Sequence, residues 1–196
     1  MFNRIKAVFL TFLLLFSSAY AQKIQLGFRI EPTFVQTQHG SEIHPYEYFY
    51  GIQANASVFP VKWMAIEGRA ALVPSIQYYA GGELGIIAKF YYTPDINFLK
   101  SVYVAGGYIS HTVFDDGHMS LSIPPTVVKM PTYGIGLNLW GAFNLELLYL
   151  NPQNKAVGSY WPFLEIPNEG NYTKVKLKNI WKLGIGFSWD IISWGY

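Results

Sequence analysis

The sequence predicts an all-β fold: an eight-stranded antiparallel up-and-down barrel that crosses a membrane. Three observations carry this expectation. Apolar residues alternate with polar or small ones, at a period of two, in eight successive segments. Short turns join these segments at one end, and most links at the other end are longer loops rich in Gly, Pro and polar residues. The 196 residues are 51% hydrophobic and 18% aromatic but only 13% charged, about half of the ~25% usual in soluble domains. No interior segment reaches the ~18 consecutive apolar residues of a spanning helix, so the apolarity is spread over strands.

The first segment stands apart. Residues 1–21 have a basic start (Arg4, Lys6), an apolar run from Ala7 to Phe16 and the small-residue pattern Ala19-Tyr20-Ala21. This is the pattern of a cleaved secretory signal, with the barrel domain occupying residues 22–196. Loss of Arg4 and Lys6 leaves 12 Lys+Arg against 12 Asp+Glu, a neutral balance that gives nucleic-acid binding no support. The chain has no cysteine, which excludes disulfides, thiolate metal sites and a lipid-modified first residue.

The strands follow in order. In the first, Ile24, Leu26, Phe28 and Ile30 oppose Gln25, Gly27, Arg29 and Glu31. The second sets Tyr46, Tyr48, Tyr50, Ile52, Ala54 and Val58 against Gly51, Gln53, Asn55 and Ser57. The third sets Met64, Ile66, Ala70 and Leu72 against Glu67 and Arg69, and the fourth sets Leu84, Ile86, Ala88 and Phe90 against Glu83, Gly85 and Lys89. The fifth, around Ser101 to Ser110, is apolar or small on both faces. The sixth opposes Tyr133, Ile135, Leu137 and Leu139 to Thr132, Gly134, Gly136 and Asn138. The seventh opposes Phe143, Leu145, Leu147 and Tyr149 to Asn144 and Glu146. The eighth, ending in "KLGIGFSWDIISWGY", opposes Leu183, Ile185, Phe187 and Trp189 to Lys182, Gly184, Gly186 and Ser188. All 11 prolines fall in turns, in loops or, for Pro32, Pro74 and Pro131, at expected outer strand ends, which suits a closed sheet.

Composition decides which face is inside. A soluble barrel with a greasy lumen needs an outer face dense in Lys, Glu and Asp. Here the polar face is mostly Gly, Ser and Asn, with four acids (Glu31, Glu67, Glu83, Glu146) and four bases (Arg29, Arg69, Lys89, Lys182). That set fits the interior of an eight-stranded barrel, which side chains fill. Trp181 and Trp189 stand about 26 Å apart along a strand and roughly 20 Å along the membrane normal at ~40° tilt, close to the height of a ~25 Å apolar band. Tyr46 and Tyr48 mark the outer girdle; Trp63, Tyr92 and Trp140 mark the inner one. The charges should pair, leaving no continuous ion path.

The ending resembles the C-terminal assembly signal of Gram-negative outer-membrane proteins: Lys182, Gly184, Phe187 and Trp189 match its polar, glycine and two apolar positions in order. Seven residues, Asp190 to Tyr196, follow the last match, a departure from the usual pattern. With the signal peptide and the alternating strands, residues 22–196 resemble small eight-stranded porin-like outer-membrane barrels. The resemblance implies insertion by the barrel-assembly machinery, both termini in the periplasm, and outer-membrane lipid and lipopolysaccharide as surroundings.

Catalysis is weakly signalled. Some barrels of this size modify lipid A with a histidine, a serine and an acid, and "SHTVFDDGHMSLS" supplies His111, His118 and Ser120. His118-Met119-Ser120 has the His-x-Ser spacing of the deacylases, but Leu121 stands where those enzymes carry Asn, and the stretch reads as a loop without the rigid support a triad needs. His39 and His44 flank Glu42 without the spacing of a tetrahedral metal site, and no cofactor motif is present. The expected role is therefore structural or surface-interacting, through extracellular loops and an extracellular protein partner. A lipid A-modifying enzyme and a narrow solute channel are the alternatives. Alternation upstream of Trp181 extends the eighth strand to Tyr172, with Lys174, Lys176 and Lys178 on the lumen side. These lysines read either as guards of an exposed strand edge or as a basic rim for lipopolysaccharide phosphates or an acidic partner, with Trp161 and Phe163 as apolar anchors.

Overall fold

The computed structural model describes residues 23–39, 41–74, 79–113, 127–139, 142–153, 156–160 and 173–193. Eight long strands form the ring: β1 (Lys23–His39), β3 (Glu47–Val61), β4 (Met64–Val73), β5 (Gly81–Tyr92), β6 (Leu99–Val113), β7 (Val127–Leu139), β8 (Phe143–Leu150) and β10 (Thr173–Ser193). Two short strands, β2 (Glu42–Ile43) and β9 (Ala156–Tyr160), lie outside it. Each ring strand pairs antiparallel with its sequence neighbour, and β1 pairs with β10 from Lys23↔Ser193 up to His39↔Val175, closing the sheet on itself. This is the closed eight-stranded barrel that the alternation predicts. Lys23 and Ser193, the first and last described residues, meet at the end that carries the short turns.

The barrel is inside-out relative to a soluble one. Leu84, Ile86, Tyr133 and Ile135 are each about 60% exposed or more on the outer wall, while Arg29, Glu67, Lys89 and Lys182 are buried within. Rings gather at two heights on the wall. Phe34 packs on Tyr48 at 5.0 Å and Tyr149 on Trp181 at 4.9 Å toward the long-loop end. Trp63 stacks on Phe90 at 6.2 Å and Phe187 on Trp189 at 6.4 Å toward the short-turn end. Trp140 lies outside the described residues.

The lumen has two zones. Its lower half holds the charges, whereas above them Val35, Phe49, Val73, Val128, Met130 and Leu150 close it with an apolar core. Sequence reading missed this change. Its physical cause is strand length: β1 has 17 residues and β10 has 21, against the ~9–11 that span a bilayer. The surplus exceeds a bilayer's span, and beyond that length an ordinary hydrophobic interior is the stable one.

Two other expectations need correction. Pro32 and Pro131 lie within strands rather than at their ends, and Pro60, expected in a turn, is the last residue but one of β3. Each sits where one ladder is interrupted or stops. The β1–β10 ladder passes from Ile30↔Ile185 to Thr33↔Lys182 without a pair at Pro32. Pro131 stands just past the last β7–β8 pair, Thr132↔Leu150. Pro60 falls in the irregularity between Val58 and Val61. A residue without an N–H is tolerated where a ladder bond is already missing.

The second correction concerns the top of β10. Its pairing with β1 jumps from Gln36↔Asn179 to Thr37↔Leu177, which leaves Lys178 as a bulge. One extra residue reverses the inside–outside phase above it. Leu177 therefore turns inward and is fully buried, while Lys176 turns outward, the reverse of the simple alternation.

Candidate functional site

The eight predicted lumen charges all meet inside the barrel, each at most 6% exposed. Alternation sends them inward from five different strands, and they form two connected clusters. In the lower cluster, Glu67 accepts from Arg29 at 3.1 and 3.3 Å, from Lys89 at 2.7 Å and from Ser57 at 3.2 Å, and also from Arg69. Glu146 faces the same three cations, with Arg69 at 2.9 Å, Lys89 at 2.8 Å and Arg29 at 3.6 Å. The Tyr103 hydroxyl donates to Glu146 at 2.9 Å, and Lys89 Nζ lies 4.6 Å from the centre of the Tyr103 ring. Arg29 Nε donates to Asn144 at 2.8 Å.

In the upper cluster Lys182 bridges Glu31, at 3.1 Å, and Glu83. Glu83 Oε1 also receives the Tyr79 hydroxyl at 2.9 Å and faces His111 Nδ1 at 3.1 Å. The Tyr79 and His111 rings stack, with centres 4.3 Å apart and planes 2° from parallel. Arg69 Nη1 and Glu31 Oε1 approach to 4.0 Å and connect the two clusters. Gln53, with its amide turned to donate to Glu31, accepts from Arg29 at 3.0 Å. Four cations thus balance four anions with their hydrogen bonds largely met, the condition under which buried charge is tolerable.

Small residues make room for this packing. A Cβ at Gly136 would lie 2.1 Å from Tyr103 Cζ, and one at Gly186 would lie 2.6 Å from Arg29 Cγ and 2.0 Å from the Phe28 carbonyl oxygen. The glycine-rich inner faces of β7 and β10 are therefore the sockets of the largest lumen side chains.

The four positions of the terminal motif divide between the two faces. Lys182 is the buried bridge of the upper cluster, Gly184 lies beneath Arg29, and Phe187 and Trp189 stand on the outer wall. One chain end thus supplies both a lumen cation and part of the ring girdle.

His111 is not a loop residue. It lies in β6 with no exposure, its ring held by Tyr79 and Glu83 and its Nε2 without a hydrogen-bond partner. A histidine sealed in this way has no access to a lipid acyl chain. His118 and Ser120 lie outside the described residues, as do Trp161 and Phe163. Among the described residues, no group of three or more His, Cys, Asp or Glu side chains is arranged to hold a metal ion.

The three rim lysines are paired to different extents within β10. Lys176 pairs with Ala156 on one side and Gln38 on the other, Lys174 pairs with Ser159, and Lys178 is bulged out of the β1 ladder. Lys176 is exposed on the outer wall and Lys178 partly so, with Lys129 of β7 exposed on the same side.

Sequence reading did not find Tyr79, Asn144 or Tyr103 as members of the clusters. Tyr79 precedes β5 in a link with no periodicity, and Tyr103 belongs to the strand whose two faces are alike. Asn144 was placed on the correct face, but nothing in its sequence neighbourhood marks it as the Arg29 acceptor.

No protein-family model matches the chain, and no curated protein matches it. Among solved structures, the N-terminal β-barrel domain of Pseudomonas aeruginosa OprF is similar, with TM-score 0.45 and 12% identity over 83% of this chain and 97% of that one. Neisserial surface protein A has TM-score 0.45 and 8% identity over 83% and 95%. The outer membrane protein OprG from Pseudomonas aeruginosa has TM-score 0.44 and 13% identity over 86% and 97%. At this distance no role passes from them to this chain, whose reading rests on its own ring of strands and its own lumen.

Proposed function

We propose that the chain is an integral outer-membrane barrel with a closed lumen and a structural or surface-interaction role exercised at its long-loop end. The observation that carries this reading is the reversal of polarity: a balanced ion network inside and a ring-bounded apolar wall outside. An aqueous setting would leave that wall unsolvated, whereas a bilayer covers it. On this reading residues 1–21 are the export signal, both chain ends face the periplasm, and the terminal motif engages the barrel-assembly machinery.

The closed lumen separates this role from a solute channel. Charged side chains paired at 2.7–3.3 Å fill the lower half, and an apolar core fills the upper half. Purified monomer in a planar bilayer is expected to give no steady conductance above the bare membrane. A large, stable open level from the monomer would require a water-filled path and would remove the closed-lumen reading.

The surface role centres on the outer wall above the Tyr149–Trp181 pair. Lys129 lies three residues above Thr132, and Lys178 two residues above Ile180, in a row joined through Leu150. With neighbouring strands ~4.8 Å apart, the two side chains spring from points roughly 10 Å apart laterally. Two exposed or half-exposed ammonium groups at headgroup height, with Lys176 beside them, match the phosphates of lipopolysaccharide. Lys129→Gln/Lys176→Gln/Lys178→Gln barrel is expected to lose salt-dependent association with lipopolysaccharide while keeping its heat-modifiable gel shift. Association unchanged in the triple variant would remove the basic-rim reading and leave the barrel reading intact.

A further inference from the structure

The apolar wall continues past the end of its strands into a turn. Phe90 and Tyr92 are the last two outward residues of β5, and the link to β6 that follows runs Thr93-Pro94-Asp95-Ile96-Asn97-Phe98. Turns that meet water are built chiefly from polar residues, Gly and Pro. Here two large apolar side chains stand in the turn, and the fold leaves both uncovered: Ile96 is 46% exposed and Phe98 57%, with Tyr92 at 68% where the strand ends. Neither Ile96 nor Phe98 lines the cavity at the short-turn mouth of the lumen, although Thr93 and Lys100 on either side of them do. The two side chains therefore lie outside the mouth.

Backbone bonds hold the turn in shape. The Leu99 N–H donates to the Ile96 carbonyl at 3.1 Å, where the two residues form an isolated β-bridge. The Tyr91 N–H donates to the Trp63 carbonyl at 2.8 Å and ties this end of β5 to the neighbouring β3–β4 turn, and the Trp63 ring stacks on Phe90. Height decides what the turn meets. Tyr92 is two residues beyond Phe90, about 7 Å along the strand and roughly 5 Å along the membrane normal at ~40° tilt. A headgroup layer of about 5–7 Å lies outside the hydrocarbon core on each side. With the Trp63–Phe90 stack at the edge of the core, the turn begins within that layer.

We infer that the β5–β6 turn is seated in the phospholipid headgroup layer and anchors the short-turn end of the barrel to it. Ile96 and Phe98 reach toward the acyl chains, and Asp95 and Asn97, both exposed, meet headgroup water. The inference rests on the outer-membrane reading of the barrel. Lipid is the occupant because the patch is continuous with a wall that lipid covers on that reading. Phe90 and Tyr92 lead from the belt to the turn with no other outward residue between them, since Tyr91 turns inward onto Tyr103. A protein seated on the turn would have to share both rings with acyl chains. Interfacial side chains of this kind fix how deep one end of a membrane protein sits.

The chain has no cysteine, so a single introduced cysteine carries a nitroxide label at one known place. Ile96→Cys and Phe98→Cys are compared with Ile135→Cys on the wall, each as the whole barrel refolded into phosphatidylcholine vesicles and checked by its heat-modifiable gel shift. Oxygen concentrates among acyl chains and a nickel chelate in water, and each relaxes the labels it reaches. Urea-unfolded protein gives the value for water. The labels at Ile96→Cys and Phe98→Cys are expected to favour oxygen several-fold over that value, as the label at Ile135→Cys does. Turn labels that favour nickel while the wall label favours oxygen would put the turn in water and overturn the inference, leaving the barrel in the membrane. Turn labels shielded from both reagents would mark a protein contact, a second copy of the chain included, and overturn it too. A wall label that favours nickel would remove the outer-membrane reading itself, and this inference with it.

Discussion

Glu67→Gln is expected to destabilise the folded barrel by about 3–5 kcal/mol, the cost of leaving buried charge without its partner. Glu67 is the convergence point of Arg29, Arg69 and Lys89, and its removal leaves those three cations to Glu146, with only the 4.0 Å approach of Arg69 to Glu31 besides. The glutamine preserves shape and one acceptor but not the charge. Urea unfolding of barrel in lipid vesicles, followed by the loss of the heat-modifiable band, measures the change. Lys89→Met in the same background removes the surplus cation and fills its space with an apolar side chain of similar length. It should recover a large part of the loss, whereas Lys89→Met alone should destabilise by unbalancing the network in the other direction. That sign reversal is the signature of coupling within one network. Independent, water-solvated side chains would give small and additive effects instead.

Much of the architecture was legible because a barrel wall obeys a single rule, alternation by two, that local sequence cannot hide. Glu67 and Arg69, or Glu83 and Lys89, announce an inner face wherever their neighbours are Ile66, Ala70, Leu84 and Ile86. The same rule assigned all eight lumen charges to one interior before their partners were known. It failed where its own assumption failed. A bulge at Lys178 shifts the phase of β10 by one residue, and "TKVKLKNIW" marks it only by Asn179 and Ile180, where the alternation that runs up to Lys178 lapses for two residues. It was also silent where both faces are small or apolar, as in β6, and so it stopped that strand at Ser110 and left His111 in a loop. The apolar upper lumen escaped for a related reason. Alternation separates two faces by contrast, and toward the long-loop end the inner face becomes as apolar as the outer one, as Val35 beside Phe34 illustrates. Partner choice inside the lumen depends on the angular order of strands around the ring and on shear, neither of which is written in any one strand.

The central claim is that the apolar outer wall faces lipid, and one substitution tests it most directly. Ile135 is 60% exposed in β7 and pairs with Val104 on one side and Leu147 on the other; Leu147 in turn pairs with Leu183, which lies between Trp181 and Trp189 along β10. This row runs obliquely across the belt, from Leu183, two residues from Trp181, to Val104, whose other partner Phe90 stacks on Trp63, and Ile135 lies midway along it. Ile135→Lys in lipid vesicles is expected to destabilise the barrel by about 2–4 kcal/mol, the cost of a lysine at the bilayer midplane. An exposed isoleucine on a water-facing strand would tolerate lysine to within about 0.5 kcal/mol. A loss of the larger size, measured by urea titration of the vesicle-embedded protein, is the result this account predicts; a neutral or stabilising Ile135→Lys would contradict it.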